Sequence, residues 1–187
     1  MIAPLILTLF ATAYANVIID LKCPEFKPIE NFNFSAYGTG VWREVARYPN
    51  EYEEEDIKCD RGVYTIELDY SSTRNVLVQD GKEIRIDGVI RKVTGAGNTG
   101  ELVGFISLDN WKMGNTFYIL DTDYDNYAIT YTCKYDEGKK SRRDYVWILS
   151  RSKTLSADVK TKIQNFMKSS GYLDYDKLIW PETSCNE

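Results

Sequence analysis

The sequence has no histidine, and that absence removes several chemistries at once. No Ser-His-Asp or Cys-His catalytic arrangement can be assembled, and a haem carrier with a proximal histidine is excluded. The four cysteines, Cys23, Cys59, Cys133 and Cys185, contain no C-x-x-C spacing. Without histidine they do not suggest a zinc site, so no metal is expected. An even count fits two disulfides, with three pairings open. Carboxylates are plentiful, but no spacing favours the paired acids of glycoside hydrolysis. The chain is therefore not expected to be an enzyme.

Three acidic or glycine-rich stretches invite other readings. Gly95 to Gly100 (G-A-G-N-T-G) matches G-x-G-x-x-G. A dinucleotide site needs a helix to start at its last glycine. The next residues are E-L-V-G-F-I-S-L, a strand pattern, so the segment reads as a hairpin loop. Asp121 to Asn126 opens like a calcium loop but lacks the glycine at position 6, and Thr132 stands where a bidentate glutamate is required. It reads as a turn. Glu51 to Asp56 (E-Y-E-E-E-D) is a concentrated acidic run, read as a solvated loop.

The elements around these stretches are short strands. Period-two alternation places them at about 41–48, 62–70, 74–79, 82–94, 101–108, 115–121, 126–134 and 143–150. Asp80-Gly81 is a two-residue hairpin turn. Ser71-Ser72, residues 95–100 and Asp123 to Asn126 mark further turns, and Lys134 to Arg142 is a charged connection. After Ser156, a helix N-cap, the apolar residues Val159, Ile163, Phe166 and Met167 share one face, and Gly171 caps the end. Eight strands at hairpin spacing and one amphipathic helix predict an all-β fold, an antiparallel sandwich or barrel with the helix packed outside.

Residues 1–15 are apolar and uncharged and end in Ala13-Tyr14-Ala15, the pattern of a secretory signal cut after Ala15. Residues 16–187 then form a single domain, expected to be secreted. That run is too short to span a bilayer, and no later apolar run approaches a span. Asn33-Phe34-Ser35 is an N-glycosylation sequon. A net charge of −5 argues against nucleic acid as a partner. Homo-oligomer formation is left open.

Gly40-Val41-Trp42 opens the first strand, Thr122-Asp123-Tyr124 follows the sixth, and Arg151 lies between the last strand and the helix. These three elements, in this order, resemble the lipocalins. Within that family the likeness is to the insect bilin-binding proteins and insecticyanins, with apolipoprotein D a step further away. It is carried by C-P-E-F-K-P-I-E-N-F at 23–32, W-R-E-V-A-R-Y-P-N at 42–50, C-K-Y-D-E-G-K-K at 133–140 and V-W-I-L-S-R-S-K at 146–153.

The resemblance implies an eight-stranded up-and-down barrel with one C-terminal helix. Its base is closed by Gly40, Trp42 and Arg151, with the guanidinium across the indole. The resemblance also implies the pairing Cys23–Cys133 and Cys59–Cys185. If Arg151 and Trp42 close the base, Tyr145 and Trp147 point inward with them. Strand parity adds Asn75 and Leu77, Ile86 and Gly88, and Phe117 and Ile119. Glu44, Arg47 and Asn50 complete the expected ligand set nearer the mouth.

Biliverdin fits this inventory. Its conjugated rings can stack on Trp147 and Tyr145, and its propionates can stay near Arg47, Asn50 or loop lysines. The expected function is non-covalent bilin binding, for coloration or pigment storage. The alternative is apolipoprotein D-like transport of lipids, sterols or other small hydrophobic molecules.

Overall fold

The computed structural model describes residues 22–185 apart from 52, 54, 55, 109 and 110. The expected signal segment lies outside the described residues. Eight strands form a closed antiparallel barrel in sequence order: β1 (Gly40–Arg47), β2 (Lys58–Ile66), β3 (Ser71–Gln79), β4 (Lys82–Lys92), β5 (Glu101–Leu108), β6 (Trp111–Thr122), β7 (Tyr127–Asp136) and β8 (Ser141–Ser150). β8 pairs back onto β1. Closure leaves no open sheet edge and encloses a lumen.

The turn residues act as their types require. Asp80 and Gly81 both adopt positive φ, 51° and 71°, between β3 and β4. Residues 95–100 connect β4 to β5 and lead into a strand. Asp123 accepts hydrogen bonds from the backbone N–H groups of Asn126 and Tyr127, which ties the turn between β6 and β7. Ser71-Ser72 departs from the expectation: both residues belong to β3, and the turn lies at 67–70. The buried Ser71 hydroxyl donates to the Gly38 carbonyl, which anchors the strand start to the base.

Helix α1 (Phe34–Tyr37) crosses the closed end, and α2 (Ala157–Ser170) packs on the outer wall. The Ser156 side chain accepts from the Val159 N–H, and Gly171 takes the left-handed conformation at φ 74°. Val159, Ile163 and Met167 are buried against Tyr131, Val146 and Ile148, and Phe166 is partly buried beside them. Each buried apolar side chain of this kind stabilises by about 1.5–3 kcal/mol. A single 3-10 turn, Tyr175–Lys177, comes after the helix.

The base forms a second core around Trp42, Tyr37, Leu102 and Ile119. Trp42 is 1% exposed, and its indole N–H donates to the Tyr37 carbonyl at 2.8 Å. The Arg151 guanidinium carbon sits 3.5 Å from the indole centroid. Its nitrogens donate to the carbonyls of Tyr124, Val41 and Ala36. Gly40, at φ 84°, supplies a backbone conformation that a side chain would strain, right beside Arg151.

Two disulfides, Cys23–Cys133 and Cys59–Cys185, join the chain ends to the barrel. This is the pairing that the family resemblance implies. Cys59–Cys185 closes a separation of 126 residues, and the tail is also held by the Cys59 N–H on the Glu182 carbonyl. Replacing both Cys59 and Cys185 by serine is expected to cost about 2–5 kcal/mol. Urea denaturation measures this; a change below about 1 kcal/mol would show that the backbone contacts alone hold the tail.

Candidate functional site

The lumen holds two adjoining chambers. The one towards the mouth, about 360 Å³, is lined by Glu44, Glu53, Ile57, Asp60, Leu77, Ile86, Thr132, Lys134 and Tyr145, with Trp42 at its floor. The deeper one, about 240 Å³, reaches Tyr37, Thr73, Ile90, Phe117 and Thr130. Tyr64, Asn75, Ile106, Asn115, Trp147 and Leu149 line both. Together they suit a small, largely apolar ligand with a few oriented polar contacts.

Register explains why these residues meet. Trp42 pairs with Gly62, Gly62 with Asn75, and Asn75 with Ile86, so one row runs across four strands on the inner face. A Cβ at Gly62 would lie 2.5 Å from the Tyr64 ring and 2.8 Å from the Asn75 side-chain oxygen. Glycine there lets both side chains lean over the wall. Tyr145 and Trp147 alternate inward on β8, with ring planes 12° apart and centroids 6.1 Å apart. They form a flat aromatic wall.

Glu44, Asn75, Leu77, Ile86, Phe117, Tyr145 and Trp147 therefore line the lumen. Ile119 lies in the base core. Gly88 packs beneath: a Cβ there would lie 2.7 Å from the Phe105 carbonyl and 2.9 Å from the Thr73 hydroxyl. Arg47 is not at the rim. A register shift between Glu44 and Ala46 pairs it with Trp147 and turns it inward, where it is 0% exposed. Its guanidinium meets Glu44 at 2.6 Å and Glu53 at 3.3 Å. Asn50 donates to Glu53 at 2.7 Å. Asn33 is exposed, and its side-chain oxygen caps α1.

The acidic run is not merely a solvated loop. Glu53 folds into the lumen because three groups receive it: Arg47, Asn50 and the Trp147 indole N–H, which lies 3.1 Å from both of its oxygens. Glu51 accepts from the Tyr145 hydroxyl at 2.8 Å and pairs with Arg143. Asp60 is a further inward acid. It escaped the sequence reading because β2 begins at Lys58, four residues earlier than the alternation suggests. The register shifts between Lys58 and Arg61, and Cys59 has φ 54°, so strand parity breaks where it would have revealed Asp60. Thr73 and Asn115 each stand two residues before an expected inward residue, and parity could have found them.

Carboxylate oxygens of Glu44, Glu53 and Asp60 lie within 4.8 Å of one another. Arg47 already neutralises two of them, so a metal cation there would face a guanidinium. Burial pushes the Glu44 carboxyl well above its ordinary value, and the charges of Glu53 and Asp60 push the same way while Arg47 opposes. Burial, then Glu53, raises Asp60 to about 7. From the neighbouring strand β7, Lys134 lies 5.4 Å from the Tyr145 ring centroid. The cavity thus has an acidic wall, an aromatic wall and a cation towards the mouth.

Comparison with known proteins agrees with this architecture. Residues 39–179 match the lipocalin / cytosolic fatty-acid binding protein family. The bilin-binding protein of Pieris brassicae is 41% identical over 180 residues, covering 96% of this chain and 94% of that protein. Apolipoprotein D of Bos taurus is 28% identical over 193 residues, covering 100% and 96%. The structure of insecticyanin from Manduca sexta superposes with a TM-score of 0.83 at 30% identity, covering 89% of each chain. With the barrel, its closed base and this match, the chain belongs to the lipocalin / cytosolic fatty-acid binding protein family.

Proposed function

We propose that this chain is a secreted, non-catalytic carrier that holds a bilin, biliverdin, non-covalently in the barrel. The supporting observation is the lumen itself. The stacked Tyr145 and Trp147 wall offers a flat surface for conjugated rings, and polar groups stand at intervals around it. The likeness to a bilin-binding protein across nearly the whole chain supports the same ligand class. Two disulfides are in keeping with an oxidising compartment. Coloration or pigment storage is the physiological role proposed, with a glycan at Asn33.

Biliverdin titrated into the native protein, followed by visible absorbance and circular dichroism, tests this. Saturable binding with an induced visible signal is expected. Trp147→Ala should weaken binding by on the order of 1–3 kcal/mol through lost packing area and shift the spectrum. If fatty acid or sterol binds tightly and biliverdin only weakly, the apolipoprotein D-like reading replaces this one.

A further inference from the structure

Asp60 is an acid that the charge of Arg47 favours only at a distance, with no direct partner among the described residues. Glu44 is paired with Arg47, and Glu53 with Arg47, Asn50 and Trp147. The Asp60 side chain, facing the same chamber from β2, has no hydrogen bond or ion pair among the described residues. Asn75, which lines the same lumen from β3, likewise has no side-chain hydrogen bond among them. Both side chains are partly buried and line the cavity rather than the packed core, so their polar atoms are open to hydrogen bonds from a ligand that enters. A ligand carboxylate would find the guanidinium of this wall already engaged by Glu44 and Glu53, so biliverdin's two propionates face away from it, and a sterol offers a single hydroxyl. A linear tetrapyrrole offers several N–H donors along one edge.

We propose that Asp60 is a proton-linked recognition residue, accepting N–H donors of the bound bilin and discharging its own proton as the ligand enters. This rests on the bilin reading above and orients the pigment: its N–H edge faces the wall of Glu44, Asp60 and Asn75. The step balances simply. The neutral Asp60 carboxyl loses its proton to solvent, and the resulting carboxylate accepts the ligand N–H.

The groups facing Asp60 are Glu44 and Arg47 from β1, Glu53 from the following loop, Tyr64 from its own strand, and, lining the same chamber, Lys134 from β7 and Tyr145 from β8. Without ligand, burial and Glu53 keep Asp60 protonated up to about pH 7. N–H donors favour the charged form and lower that value. Affinity therefore falls as pH drops below neutrality, by up to about tenfold per pH unit for one linked proton.

Biliverdin is titrated calorimetrically at pH 7 in two buffers of different ionisation enthalpy, and its affinity is followed by visible circular dichroism from pH 8 to 6. The native protein should release a substantial fraction of one proton and lose affinity on the order of tenfold across that range. Asp60→Asn should abolish the release and flatten the profile; biliverdin's own propionates contribute equally in both proteins. Tight binding with no proton release, or with proton uptake, overturns the inference and leaves the bilin reading standing. So does an unchanged pH profile in Asp60→Asn. Absence of biliverdin binding to the native protein overturns both. The native proton count stands whether or not the variant folds.

Discussion

Trp42→Ala should lower the folding free energy by about 3–5 kcal/mol, the cost of deleting a large buried aromatic. In a domain of this size that is a fall in Tm on the order of 10 °C. The indole is buried among Tyr37, Leu102, Ile119 and Ala128, and one face carries the Arg151 guanidinium. Removing it opens a cavity and strips Arg151 of its contact. Because Trp42 also floors the mouth chamber, its loss disturbs binding too. Arg151→Ala is the cleaner companion. Arg151 lines neither chamber, yet its loss leaves the carbonyls of Ala36, Val41 and Tyr124 without their donors. Thermal melts should show it strongly destabilised, with affinity per folded molecule preserved. Native melting with abolished binding would instead make Arg151 a ligand contact.

The closure was legible in the sequence because each part has a local cause. A glycine at Gly40 frees the turn, alternation fixes which way Trp42 faces, and β8 carries Arg151 to the same end. Helix α2 was legible from Ser156, the apolar period and Gly171. The Asp80-Gly81 turn fixed the β3–β4 register. Parity also placed Tyr145, Trp147, Asn75 and Leu77 correctly on the inner face, since β3 and β8 run without a break through those positions. It failed at the register shifts in β1 and β2. A bulge is a single extra residue, and nothing in W-R-E-V-A-R or K-C-D-R-G shows which residue is extra. Those shifts hide the inward turn of Arg47 and the existence of Asp60 as a lumen residue. Glu53 was hidden for another reason: an acidic run is usually solvated, and only the three-dimensional meeting with Arg47 and Trp147 draws one of its members inside.

Arg47→Met should destabilise by about 3–5 kcal/mol at alkaline pH, because it leaves a buried acid cluster without its guanidinium. The effect must depend on pH. The folded-state values of Glu44 and Asp60 lie above 4.5 and 3.8, their values outside the fold. Between those limits the folded chain holds protons that the unfolded chain has released. Their contribution to stability is therefore full at low pH and is lost as pH rises through the folded values, near 7 for Asp60. Arg47 opposes both upward shifts, so its removal raises them further and extends the loss to higher pH. The penalty of Arg47→Met should be smaller near pH 5, where Asp60 keeps its proton, than near pH 8, where Asp60 has lost it. Adding Glu44→Gln should recover much of it at pH 8, since the amide keeps the shape of the acid without its charge. Urea denaturation of the native protein and both variants at the two pH values measures this. An equal penalty at both would show that Arg47 acts by filling space beside Trp147, with charge playing little part.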